Sequence, residues 1–265
     1  MVSIILPVYN GASYLENAIV SVLNQTYRNF ELIIIDDAST DHSLQIVEYY
    51  RRQDTRILAI RSSMRRGVAK TLNIGLRAAG GDFIARIDAD DLWLPEKLEQ
   101  QVKVFNSDPE LLLLGTAKIL IDQNGDVIYG KSDWPVYSYG DIRNNILKKN
   151  LFSHSSVMFR KSVLTVAGYY NEDYKNSEDY EYWIRIITRG KTEILRESLV
   201  QYRLHPEMIS WQKRRQQKFF VIKAKWMGFS LLGFQPGYLP YLARDVYEWM
   251  VPDFMIRLKR KLMGV

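Results

Sequence analysis

The chain has 265 residues, 47% of them hydrophobic and 25% charged, with no cysteine and a formal net charge of +6. That length buries a full core, and the missing thiols exclude disulfide staples and cysteine-ligated metals. The charge is uneven: residues 1–211 carry 25 Lys and Arg against 27 Asp and Glu, whereas residues 212–265 carry 11 against 3, so charge alone assigns an anionic partner to the tail.

Apolar runs alternate with helical spacing through the first half of the chain. Strands are expected at 3–8, 31–35, 56–60 and 82–87. Helices are expected at 14–23, 41–51, 68–79 and 95–105, with Ser39 or Asp41 capping the second and Pro95 opening the fourth. Four repeats of strand then helix predict an α/β fold, with a parallel sheet covered on both faces. Residues 111–121 and 127–129 flank a turn at Gln123-Asn124-Gly125-Asp126 and predict an antiparallel hairpin. Further strands are expected near 155–159 and 199–204 and a helix at 179–188; beyond Trp211 the pattern is helical, interrupted at 233–240. No apolar run approaches the ~20 residues that cross a bilayer. The opening MVSIILP lacks the basic segment of an export signal, so the expected location is cytoplasmic.

Polar residues gather where the strands end, which is where open parallel sheets bind ligands. The first strand runs into Pro7-Val8-Tyr9-Asn10, the second into Asp36-Asp37 and the fourth into Asp88-Ala89-Asp90-Asp91. Such acidity repels a phosphorylated ligand unless a cation lies between them. Asp88 and Asp90, two apart in extended backbone, point to one side and suit Mg²⁺ or Mn²⁺. Asp91 is read as capping the loop before Pro95, and Arg86, a charge within a strand pattern, as paired with a nearby carboxylate. A dehydrogenase is disfavoured because Gly11 stands alone where a G-x-G-x-x-G fingerprint is needed.

Together, SIILPVYN at 3–10, SVLNQTY at 21–27, ELIIIDDASTD at 31–41, GVAKTLNIG at 67–75 and GDFIARIDADD at 81–91 resemble family 2 inverting glycosyltransferases of the GT-A fold. SEDYEYWIR at 177–185 and YRLH at 202–205 continue the likeness, which spans about residues 3 to 205. The resemblance implies a mostly parallel, Rossmann-like sheet flanked by helices in residues 1–210. Within it, 1–110 is the nucleotide-binding half and 111–210 the acceptor half, with a basic, aromatic helical extension at 211–265. It also implies donor binding by Pro7, Tyr9, Asp37, Arg66, Asp88 and Arg203, with Tyr9 stacking on the base and Asp37 accepting the imide N–H of a uracil. Asp90, Asp88 and His205 are the implied ligands of a divalent metal, Mn²⁺ or Mg²⁺, and Asp179 is the implied catalytic base. His154 falls near the acceptor side.

The implied activity is metal-dependent transfer of a sugar from a nucleotide-diphospho-sugar, a UDP-sugar in the first instance, to a glycan or lipid-linked acceptor with inversion. The Q-x-x-R-W signature of processive relatives is missing, so single-sugar transfer in cell-surface polysaccharide or glycolipid synthesis is expected. A non-catalytic nucleotide-sugar-binding scaffold of the same fold is the alternative. The tail has two readings. One is docking on an anionic membrane surface at the inner face, through Lys213, Arg214, Arg215, Trp226 and the 253–262 stripe. The other is packing on the catalytic domain with a solvated basic edge. Nucleic acid is not expected, because no recognised binding motif accompanies the charge.

Overall fold

The computed structural model describes residues 1–130, 137–208 and 212–252. The N-terminal half alternates as expected: β1 (Val2–Val8), α1 (Ala12–Leu23), β2 (Phe30–Asp36), α2 (Ser43–Gln53), β3 (Ile57–Arg61), α3 (Val68–Ala78) and β4 (Phe83–Arg86). There follow β5 (Leu92–Trp93), α4 (Lys97–Ser107), β6 (Leu111–Ile121), β7 (Val127–Tyr129), α5 (Tyr139–Asn145), β8 (Met158–Arg160), α6 (Val163–Val166), α7 (Glu178–Ile187) and β9 (Lys191–Arg203). Helices α8 (Arg214–Leu232) and α9 (Leu239–Met250) close the described chain.

One sheet runs β3-β2-β1-β4-β8-β6-β9-β5, with β7 paired to β6. β1, β2, β3 and β4 pair in parallel. β8 enters antiparallel between β4 and β6, and β9 returns parallel along the whole of β6. The predicted hairpin is β6–β7, with Gly125 at φ +97° in its turn. The sheet is apolar on both faces because its central strands β1 and β2 carry near-continuous apolar runs, Ile4–Leu6 and Leu32–Ile35. Along β1 and β2, Ile5, Ile33 and Ile35 enter the core shared with α3 and α7, and Ile4, Leu6, Leu32 and Ile34 enter the core shared with α1 and α4. Fully burying each such side chain contributes about 1.5–3 kcal/mol. Gly75 lets α3 lie on this sheet: a Cβ there would sit 2.7 Å from Ile5 Cγ2 and 2.9 Å from Ile35 Cδ1.

Three local expectations need correction. Neither Ser39 nor Asp41 caps α2 from the N-cap position, which is His42; Ser39 Oγ and Asp41 Oδ2 instead accept the amides of Asn10 and Ala12. The strand expected at 155–159 begins later, since His154–Ser156 form a 3-10 turn whose serines bond inward. β9 starts eight residues before the expected strand at 199, its first half hidden in the sequence by charges such as Lys191 and Glu193. In the fold these two pair with each other, and Lys191 also reaches Asp108.

The tail's two described helices pack on the rest of the protein. Ala224 and Phe229 of α8 and Leu242 of α9 join the core beside α7, and at Gly228 α8 lies so close to Leu147 that a methyl would clash. Much of the tail's basicity is consumed internally. Lys218 and Lys225 both pair with Asp245, which is 2% exposed, and Lys225 Nζ also donates to the Lys148 carbonyl at 3.1 Å. Arg214 and Arg215 donate to the Glu248, Trp249 and Val251 carbonyls at the C-terminal end of α9, where a helix leaves acceptors unpaired and its dipole favours cations. The 253–262 stripe lies outside the described residues. Among the described residues, no helix is long and apolar enough to cross a membrane.

Candidate active site

A cleft of about 410 Å³ opens at the C-terminal ends of β1, β2 and β4. Pro7, Tyr9, Asp37, Asp88, Asp90 and His205 line it together, although the last is 198 positions from the first. The strand ends that carry these groups are held in unusual backbone. Asn10 has φ +51° and Ala38 φ +60°; Asn10 tolerates this conformation well and Ala38 less so, and such outliers collect at functional sites. Asn10 Oδ1 accepts from the Thr40 amide at 2.8 Å, tying the two loops.

The N-terminus of α1 faces this region but is not a phosphate cradle. The amides of Asn10, Gly11 and Ala12 donate to Ser39, Ser43 and Asp41 at 3.0, 2.9 and 3.0 Å. In a dinucleotide-binding fold the corresponding amides are free for pyrophosphate. Here the loop after β2 and the first residue of α2 consume them, so a diphosphate must find its countercharge elsewhere.

Asp37, 4% exposed, accepts from the Arg66 and Gly67 amides at 2.7 and 2.8 Å and so fixes the loop ahead of α3. A carboxylate offers about four acceptor positions, which leaves capacity toward the cleft. Tyr9 is 38% exposed, and the guanidinium of Arg65, not of Arg66, lies 3.9 Å over its ring. Arg66 is exposed and is not on the cleft wall.

The acidic run after β4 separates into three different carboxylates. Asp88 is gripped by both terminal nitrogens of Arg86, and its amide donates to Ser155 Oγ at 3.0 Å. This confirms that Arg86 pairs with a carboxylate, and it places Arg86, 3% exposed, on the cleft wall. Burial works against the charge of Arg86, but Asp88 outweighs it and keeps the guanidinium cationic. Asp91 does not cap the following loop. It is 1% exposed, receives the Ser155 hydroxyl and the Arg203 amide, and is pushed well above the usual carboxylate range by burial and then by the charges of Asp90 and Asp88.

Asp90 remains accessible, and among the described residues its one side-chain partner is His205 Nε2, at 2.9 Å from Oδ2. Ligand atoms of Asp88, Asp90 and Asp91 lie within 4.8 Å of one another. An oxygen-rich group with one adjacent imidazole fits a hard divalent cation, and Asp90 with His205 is its open edge.

Arg203 lies elsewhere than expected. It is 3% exposed, its Nε donates to the Asp90 carbonyl at 2.9 Å, and Nη1 donates to the Asp122 and Gln123 carbonyls at 3.0 and 3.2 Å. Its side chain braces the acidic loop and lies 4.7 Å over the ring of Tyr14, a cleft residue, without itself lining the cleft. The SVLNQTY segment does similar work from the other side. Ser21 Oγ accepts the Trp93 amide, while Gln25 bonds the Leu94 carbonyl and the Leu98 amide.

Asp179, in the first turn of α7, sits in a neighbouring depression of about 210 Å³ and accepts from Asn150 Nδ2 at 3.0 Å. Burial raises its pKa, with the charge of Asp88 adding to the rise; the Tyr180 amide, Arg86 and Asn150 oppose it. Its neighbour Glu178, 6% exposed, is pushed up to about 8 by burial and then by Asp179. The Tyr202 phenol is held protonated by burial and then by the charges of Asp91, Asp88, Asp90 and Asp179. Asp179 therefore feels the charge of Asp88 in the cleft, and Arg86 acts on both carboxylates. His154 bonds the Tyr170 hydroxyl at 2.9 Å and is kept neutral by burial and then by Arg86. Sequence reasoning assigned no site role to Ser155, Asn150 or Tyr202; only Arg86 carried a signal, a lone charge within an apolar strand.

Comparison with known proteins agrees with this architecture. The family model described as Glycosyl transferase family 2 matches residues 3–166. The amylovoran biosynthesis glycosyltransferase AmsE of Erwinia amylovora is 29% identical over 271 residues, covering 98% of this chain and 100% of that one. Among solved structures, S. aureus TarS 1–349 in complex with UDP has a TM-score of 0.69 at 20% identity, covering 92% of this chain and 70% of that one. Mannosyltransferase PcManGT from Pyrobaculum calidifontis, in complex with GDP-Man and Mn²⁺, has a TM-score of 0.66 at 20% identity, covering 99% and 80%. The fold is GT-A. With strand-end carboxylates gathered in one cleft and more than half of its length matched by the family model, the chain belongs to glycosyltransferase family 2.

Proposed function

We propose that this glycosyltransferase moves a single sugar from a nucleotide-diphospho-sugar, a UDP-sugar, to an acceptor hydroxyl with inversion, using a divalent metal, in cell-surface polysaccharide or glycolipid synthesis. The observation that carries the reading is the convergence of Tyr9, Asp37, Asp90 and His205 on one cleft, with Asp179 in the adjoining depression. Tyr9 offers an aromatic face to the base once Arg65 withdraws, and stacking of this kind contributes about 1–3 kcal/mol. Asp37 accepts the imide N–H of uracil, a donor that cytosine lacks. The Mn²⁺ complex of PcManGT supports a metal here, and Asp90 and His205, with Asp88 beside them, are the residues that would hold it. When bound, the cation supplies Lewis-acid stabilisation of the diphosphate leaving group. Arg86 stands on the same wall with its charge paired to Asp88, and its Nε has no partner among the described residues.

Asp179 takes the proton of the acceptor hydroxyl as that oxygen attacks the anomeric carbon from the face opposite the leaving group. A carboxylate whose pKa lies above its ordinary value is the better base, and burial provides that shift. We divide the labour at residues 1–110 for the donor, 111–210 for the acceptor and 211–265 as a bracing extension. The exposed Phe219, Trp226, Phe234, Tyr247 and Met250 of that extension, beside Lys213, Arg215 and Lys223, suit attachment to an anionic membrane surface on the cytoplasmic side. Co-sedimentation with anionic liposomes that survives deletion of residues 212–265 would remove this attachment. For the activity itself, nucleotide-sugars are screened by thermal shift with and without Mn²⁺. A UDP-sugar is expected to stabilise the protein only with metal; stabilisation by GDP-sugars instead would overturn the uracil assignment, and by none of them the donor reading.

A further inference from the structure

We infer that the depression beside Asp179 is an acceptor subsite for a sugar bearing an oxyanion, a phosphate or a carboxylate, close to the hydroxyl that reacts. The inference rests on reading Asp179 as the base. Five cationic side chains line this space, Lys148, Lys149, Lys218, Lys225 and Arg244, against two acids, Asp179 and Asp245. Asp245 is already committed, being almost fully buried and paired with Lys218 and Lys225. Lys148 and Lys149 have no carboxylate partner among the described residues; the Lys148 ammonium stands 5.9 Å from the Tyr241 ring. Arg244 is half exposed and only loosely set toward Asp245 and Glu248, at 3.7 and 3.9 Å.

Two lysines without a carboxylate partner among the described residues, and one loosely paired arginine, thus share a small depression with the candidate base. A neutral sugar would leave them without countercharge, whereas an oxyanion gains charge-assisted hydrogen bonds from them. The wall is built and not incidental. Lys225, 1% exposed in its side chain, bonds the Lys148 carbonyl and thereby fixes the turn that carries Lys148 and Lys149.

The test holds the protein saturated with UDP and Mn²⁺, so that the donor cleft is filled, and titrates glucose 1-phosphate, glucuronic acid and glucose by calorimetry. At least one charged sugar is expected to bind about tenfold more tightly than glucose. The double variant Lys148→Gln/Lys149→Gln, and separately Arg244→Gln, are expected to remove most of that preference while UDP affinity stays unchanged. The stronger of the two charged sugars identifies the anion as phosphate or carboxylate. Equal binding of all three sugars, no binding by any, or a preference that survives both variants would overturn the subsite. Failure of UDP to bind with Mn²⁺ would instead remove the donor reading, and the sugar comparison is still read without it.

Discussion

The donor cleft and the Asp179 depression are built in opposite ways. The cleft draws residues from the ends of neighbouring parallel strands: Pro7 lies at the end of β1 itself, and Tyr9, Asp37, Asp88 and Asp90 each follow a strand by only a few positions. The depression draws on the turn after α5, the start of α7, and both tail helices. The first kind of site follows from the strand-helix repeat itself. The second exists only when distant helices pack, and its charges are balanced by buried pairs such as Lys225–Asp245. Chemistry at the cleft should therefore respond to single polar substitutions without loss of fold, whereas the depression couples function to stability.

The largest expected effect separates the two regions by reaction step. Asp179→Asn should lower kcat by about 10²–10⁴-fold, the usual contribution of a positioned base; steady-state kinetics with near-normal turnover would remove Asp179 from that role. On the packing side, Asp245→Asn leaves the buried Lys225 facing a neutral amide, while Lys218 keeps Glu248 at 2.7 Å, and should cost about 3–5 kcal/mol in denaturant unfolding. A change near zero would mean that the pair is not buried as described. In the cleft, Tyr9→Ala should weaken UDP binding by about 1–3 kcal/mol with no comparable loss of stability.

Smaller effects come through titration. Glu178 is pushed up to about 8 from an ordinary 4.5, so the folded protein holds this proton more tightly than the unfolded chain. Its contribution to stability is complete below the ordinary value and is lost as pH rises through about 8. The thermal midpoint should accordingly fall across that interval, and Glu178→Gln should flatten the fall; an unchanged slope in the variant would reassign it. Asn150 donates to Asp179 and lowers its pKa. Asn150→Ala should therefore move the acid limb of the pH–rate profile upward, and a downward movement would contradict the assigned hydrogen bond.

The same contrast governs how much could be read in advance. The strand-helix order, the hairpin at β6–β7 and the gathering of acids at strand ends are local consequences of periodicity and turn chemistry. Asp88, Asp90 and Asp91 look alike in sequence, yet tertiary partners give them three different fates: bound to Arg86, open beside His205, and buried against Ser155. Arg203 shows the limit most clearly. A basic residue after a late strand suggests phosphate contact, but the guanidinium is drawn to three backbone carbonyls that only the fold brings together. The lysines at 148 and 149 gave no signal either, because their meaning depends on Lys225 and α9.

The division of labour between the two regions can be measured directly by titrating UDP into Asp90→Asn and Asp179→Asn, each with and without Mn²⁺. That division requires that Asp90→Asn lose the metal-dependent part of the affinity and that Asp179→Asn stay within about threefold of the unaltered protein, a difference under ~1 kcal/mol. Loss of metal-dependent binding in Asp179→Asn, or its survival in Asp90→Asn, would contradict it.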